Sequence, residues 1–141
     1  MAKKRALNRI KRPAENRRQL VVFPEFAEDS EKRPPEFSLR YLQKSYCISC
    51  CQRDEKAGLV DKLHRLSQIT WLEIKSTGRH QLGCEKISRE AIKAPIPRHI
   101  TEDVDFLAFR FHEMKPMVGY RRDSTFFIVW LDRDFTLYKH D

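Results

Sequence analysis

Arg110, Arg121, Arg133, Tyr138, Lys139 and His140 gather near the C-terminal end of the chain, and their types are those that hold and cleave a phosphodiester. RNA cleavage without a metal needs a base for the 2′-OH proton and an acid for the departing 5′-oxygen. It also needs a cation or hydrogen-bond donor for the charge that builds on the phosphate. Guanidinium groups bind phosphate through paired hydrogen bonds, so the three arginines are candidates for that charge. Tyr138, Lys139 and His140 are candidates for moving protons, since an ordinary imidazole titrates near neutrality. His112, in a turn segment, is a weaker candidate. The plainer alternative is that alternate arginines form a wet strand face and that His140 is a solvated chain end.

The cysteines offer different chemistry. Cys47, Cys50 and Cys51, followed by His80 and Cys84, have a spacing that thiolate and imidazole ligands can use for zinc. Two clean cysteine pairs would be a stronger signal. Free cysteines otherwise behave as small apolar residues. The N-terminus lacks the apolar region of a secretory signal, so stable disulfides are not expected and the default location is cytoplasmic. Phosphate-binding glycine loops, nucleophile elbows and paired metal-binding carboxylates are absent from the sequence, and no cofactor is implied.

These side chains need a frame. From Asp105 to His140 the chain reads as three or four short runs rich in Phe, Val, Ile, Trp and Tyr, separated by turn signals, as strands of a pleated, half-buried sheet should. Strand alternation puts Phe106, Ala108 and Arg110 on one face and Leu107, Phe109 and Phe111 on the other. It likewise separates Phe126, Ile128 and Trp130 from Phe127, Val129 and Leu131. Both of those faces are apolar, so this strand is covered on both sides or meets a partner. Tyr120 and Trp130 read as core, and Asp132 and Asp134 as parts of a turn.

Upstream, apolar spacing predicts a helix over about Asp54 to Ile74, capped by Asp54 and with a possible break at Ser67. Phe37 to Leu42 alternates as a strand, and Tyr46 to Cys51 extends it or forms a loop. Residues 80–87 lead into another strand. Lys93 to His99, with Pro95 and Pro97, is an extended connector. Strand runs after a helix give an α+β class, with a helix or helical hairpin packed on a small twisted antiparallel sheet. Residues 37–141 form this single domain and residues 1–36 a basic extension, within which a short helix over 2–19 is possible.

The chain has 141 residues and a net charge of +8, unevenly placed: residues 1–18 carry +7, residues 19–36 carry −3 and the remainder +4. A basic tail attracts nucleic acid or acidic surfaces without sequence preference. The longest apolar run, Phe126 to Leu131, is far short of the roughly 18 residues that a membrane span needs.

The order of elements resembles the small toxins of the RelE/ParE/HigB superfamily of bacterial toxin–antitoxin systems, which place a helical hairpin against a twisted antiparallel sheet. Gly119-Tyr120-Arg121 is similar to their aromatic-Arg element. Phe126 to Leu131 is similar to their apolar strand, and Tyr138-Lys139-His140 to their C-terminal segment. The resemblance implies an endoribonuclease acting on RNA, including ribosome-bound mRNA, and a cognate antitoxin that holds it inactive. The alternatives are a non-enzymatic nucleic-acid- or protein-binding module, such as a phage-defence or regulatory adaptor, and a zinc-stabilised adaptor.

Overall fold

A computed structural model describes residues 29–77 and 82–140. The elements below belong to the compact unit Glu31–Asp141. The helix considered over 2–19, and His80, lie outside the described residues. The chain runs β1 (Glu36–Ser38), α1 (Arg53–Leu66), α2 (Trp71–Ser76), β2 (Glu85–Ile87), β3 (Phe106–His112), β4 (Lys115–Arg122) and β5 (Thr125–Leu131). The strands form one sheet in the order β1-β5-β4-β3-β2. This is the α+β arrangement expected from the sequence. Strands β2 to β5 pair antiparallel, but β1 joins β5 in parallel, so the sheet is mixed. Among the described residues no helix is long and apolar enough to cross a membrane.

The helical stretch divides where its caps dictate. Glu55, in the first turn of α1, accepts from the Gln52 N–H at 2.7 Å, so Gln52 rather than Asp54 is the N-cap. Asp54 sits inside the first turn, where a carboxylate opposes the positive end of the helix dipole. The helix stops at Leu66. Thr70 then starts α2 with a reciprocal box: its hydroxyl accepts from the Glu73 N–H at 3.2 Å, and the Glu73 carboxylate accepts from the Thr70 N–H at 2.9 Å.

Apolar residues cover both faces of the sheet. Leu59, Leu66, Trp71 and Ile74 of the helices pack on Phe109, Phe111, Met117, Phe126, Ile128 and Leu131. Each fully buried large side chain of this kind is worth roughly 1.5–3 kcal/mol of transfer free energy. On the other face Phe106, Ala108, Val118, Tyr120, Val129 and Trp130 pack under Ile87, Ile100, Leu137 and Tyr138. Among the described residues, loops and the short 3-10 turn Arg89–Ala91 cover that face, with no α-helix on it.

The expected alternation holds along β3 through Arg110, but not along the whole of β5. Register shifts by one residue where Val118 faces Trp130 and Gly119 faces Ile128. This bulge adds a residue at Val129 and resets the parity beyond it. Trp130 therefore joins Phe127 and Val129 on the loop-covered face, and Leu131 joins Phe126 and Ile128 under the helices. The bulge also explains Gly119, where a Cβ would overlap the Phe127 carbonyl oxygen. Gly58 serves a similar purpose in α1: a Cβ there would lie 2.7 Å from His112 Nδ1 and 3.0 Å from the Phe111 carbonyl oxygen. Its absence lets α1 settle onto the end of β3.

Candidate functional site

The site starts from Asp132, which follows β5 and is fully buried. A buried carboxylate is costly unless hydrogen-bonded, and the next residues fold back to meet that need. The Thr136 N–H donates to Oδ1 at 2.8 Å and the Leu137 N–H to Oδ2 at 3.1 Å. Wrapping the chain around this carboxylate forces Phe135 to φ 58°, a left-handed conformation uncommon for a bulky residue. Asp132 is thus the centre of a small loop rather than one residue of an ordinary turn.

The same carboxylate holds His140. His140 Nε2 lies 3.3 Å from Asp132 Oδ2, while the Tyr138 ring lies against the imidazole with centroids 4.1 Å apart and the Phe135 ring meets it edge-on at 5.1 Å. A donated Nε2–H leaves Nδ1 as the nitrogen available to take a proton. Far from being a frayed end, the imidazole is fixed on three sides.

His140 lines a cavity of about 180 Å³ together with Arg110, Tyr138, Lys139, Glu85, Met114 and Pro116. Arg110 comes from β3, on the face that alternation assigns to it, and Glu85 from the edge strand β2. Four of the six residues singled out in the sequence therefore line one cavity. Tyr138 is mostly buried, so its ring positions the imidazole; Lys139 is exposed at the rim.

Arg121 and Arg133 lie elsewhere, engaged with carboxylates on the helix side. Arg121 pairs with Glu31 at 2.6 Å, donates to the Asp123 carbonyl at 2.6 Å and lies over the Trp71 ring at 4.3 Å. Arg133 donates to Glu55 at 2.8 Å, and Lys115 approaches the same carboxylate at 3.7 Å. The Arg133 guanidinium, then the Gln52 N–H and the Lys115 charge, hold the buried Glu55 carboxyl below the usual carboxylate range. His112, the weaker candidate, faces Asp54 at 3.4 Å at the start of α1.

A second recess, of about 320 Å³, shares Arg110 and Met114 with the first and adds Lys62, Arg65 and His112. Lys62 is 5% exposed, and its burial, reinforced by the Arg65 and Arg110 charges, pushes its ammonium below the usual lysine range. Cations thus continue from the His140 cavity towards α1, and Glu113 also lines the second recess.

Sequence reasoning missed Asp132, Glu85, Lys62 and Arg65. For Asp132 the available signal was an aspartate at a strand end with a threonine four residues on and a histidine eight residues on. For Lys62 and Arg65 it was their spacing of three along a helix, which places both near one face. As to zinc, no group of three or more His, Cys, Asp or Glu side chains among the described residues is arranged to hold a metal ion. No protein-family model, curated protein or solved structure matches the chain.

Proposed function

We propose that the chain is an endoribonuclease of the RelE-like toxin type, which cleaves RNA without a metal and is held inactive by a cognate antitoxin protein. The observation that carries this reading is that His140, held from behind by the buried Asp132 carboxylate, lines a cavity that Arg110 and Lys139 also line. In this reading Arg110 and Lys139 bind the scissile phosphate and offset the charge that grows on its oxygens. The 2′-oxygen attacks phosphorus and loses its proton to His140. The P–O5′ bond breaks, leaving a 2′,3′-cyclic phosphate and a 5′-hydroxyl. Asp132 fixes the imidazole and stabilises it once protonated. The Lys139 ammonium is the group at hand to protonate the 5′-oxygen. Arg121 and Arg133 serve the fold.

An antitoxin segment that adds a strand to β2 would sit beside Glu85 and close the cavity. Exposed Val60 on α1 and Leu72 on α2 offer further apolar contact. The direct test is cleavage of end-labelled RNA in the presence of a chelator, with and without ribosomes, using the wild type and His140→Ala. Products ending in cyclic phosphate, lost in the variant, are expected. Folded wild type that leaves RNA intact in every arm would overturn the reading.

The cations at Lys62, Arg65 and Arg110 favour one alternative, a nucleic-acid-binding module without chemistry. Salt-sensitive RNA binding with no cleavage, weakened by Lys62→Ala and Arg65→Ala, would establish that module instead.

A further inference from the structure

Cys47-Ile48-Ser49-Cys50 is a Cys-x-x-Cys segment folded into one tight turn. Ile48–Cys50 forms a 3-10 turn with Cys47 at its N-cap, and the Cys50 N–H donates to the Cys47 carbonyl at 3.0 Å. Such a turn brings its end Cα atoms within about 7 Å, and a disulfide spans roughly 4.4–6.8 Å between Cα atoms. The loop is pinned just before the pair. The Tyr46 carbonyl accepts from the Leu131 N–H at 2.7 Å, and the Gln43 N–H donates to the Val129 carbonyl at 2.9 Å. Closing a bond between residues already held in a turn costs little chain entropy.

The four cysteines fall into two classes. Cys47 is partly exposed and Cys50 exposed, whereas Cys51 is buried and Cys84 is partly buried among core residues. The Cys47 sulfur lies 2.8 Å from the Ser49 hydroxyl. That hydroxyl, then the Ser49 N–H, and then the Cys50 thiol and N–H, hold the Cys47 thiol below its ordinary range. Burial pushes the Cys51 and Cys84 thiols the other way. A thiolate that is accessible and stabilised by hydrogen bonds is the reactive form of cysteine.

We propose that Cys47 and Cys50 are a reversible dithiol–disulfide couple that exchanges with low-molecular-weight disulfides such as oxidised glutathione. The Cys47 thiolate attacks one sulfur of the disulfide, forming a mixed disulfide and releasing one thiolate. The Cys50 sulfur then attacks the Cys47 sulfur and releases the second thiol. The chain loses two electrons and two protons, and the small disulfide is reduced to two thiols. This couple is independent of the RNA-cleavage reading and concerns a different part of the surface.

The test uses the full chain, equilibrated in mixtures of reduced and oxidised glutathione, quenched with acid and alkylated under denaturing conditions. Intact mass should show two of the four cysteines lost together, at a cost of two hydrogens, with peptide mapping placing the bond between Cys47 and Cys50. In Cys50→Ser the reaction should stop at one glutathione adduct on Cys47. Native alkylation should be at least about tenfold faster at Cys47 than at Cys51 or Cys84. Four free thiols at every glutathione ratio would overturn the proposal. So would adducts that never close in the wild type, or a bond made to Cys51 in place of Cys50.

Discussion

On the helix side of the sheet Arg121 lies across Trp71 and is clamped by Glu31, while Arg133 and Lys115 converge on Glu55. On the loop-covered side the buried carboxylate, Asp132, takes two backbone N–H groups and an imidazole, while Arg110 and Lys139 stand around a cavity with Glu85. Both sides use arginine, lysine and carboxylate at the ends of strands. What differs is the partner of the buried carboxylate. On the helix side it neutralises guanidinium and ammonium groups and so fixes the fold. On the other side it holds an imidazole in the wall of a cavity that Arg110 and Lys139 also line.

This contrast can be broken most sharply with His140→Ala and Arg121→Ala side by side. In the RNA-cleavage reading His140→Ala should lower the cleavage rate by about 10²–10⁴-fold, while its urea midpoint shifts only slightly. Arg121→Ala should do the opposite. It removes an ion pair and the cover over Trp71, costing about 1–2 kcal/mol of stability, and should leave the rate per folded molecule unchanged. Equal activity losses in the two variants would erase the distinction between the faces.

Glu55 is the next test. It is 3% exposed and accepts from both Arg133 and the Gln52 N–H, so Glu55→Gln keeps the shape and removes the charge. Partly exposed Arg133 and Lys115 can recover some hydration, and a loss of about 1–3 kcal/mol in urea unfolding is expected. Asp132→Asn should also destabilise, but it alone should lower cleavage as well, because it changes what the imidazole donates to.

The three C-terminal strands and the helix break were legible in the sequence, because alternation and turn residues act locally. Phe106, Ala108 and Arg110 do share a face. The fate of Trp130 and Leu131 was not legible, since a bulge beside Gly119 leaves no mark on the letters except the glycine itself. Nor could spacing distinguish Arg110 from Arg121: each is a strand arginine, and nothing local shows that Glu31 and Trp71, far away in the sequence, meet Arg121. Asp132 was read as a turn residue for a related reason. An aspartate that ends a strand looks the same whether its carboxylate faces water or gathers a loop around itself.

Acid should affect the helix side through its carboxylates. Glu31 is held below the usual carboxylate range by Lys75 and Arg121, and Glu55 by Arg133. A carboxyl with a lower pKa in the folded state stabilises fully above its unfolded value, about 4.3. That stability is lost as pH falls through the folded value, because the unfolded chain binds the proton first. Urea midpoints measured from pH 7 down to pH 3 should therefore drop more steeply in the wild type than in Glu31→Gln or Glu55→Gln. Parallel curves would mean that these pairs contribute nothing to acid sensitivity.

The smallest effect expected on stability is at Phe135, and it sharpens the comparison because the two readouts should move in opposite directions. Its left-handed backbone, φ 58°, exists because the Thr136 and Leu137 N–H groups turn inward to Asp132. Strain of this kind costs on the order of 1–3 kcal/mol, and glycine adopts the conformation freely. The Phe135 ring is 42% exposed, so little burial is lost with it. Phe135→Gly should thus unfold at a urea concentration equal to or above that of the wild type, since the gain from relieved strain is set against glycine's greater freedom when unfolded. Yet the ring also meets His140 edge-on. Without it the imidazole can swing away from Asp132, and cleavage should fall several-fold. A variant that lost stability and kept full activity would mean that Asp132 and Tyr138 alone fix the imidazole, and that the strained loop serves the fold.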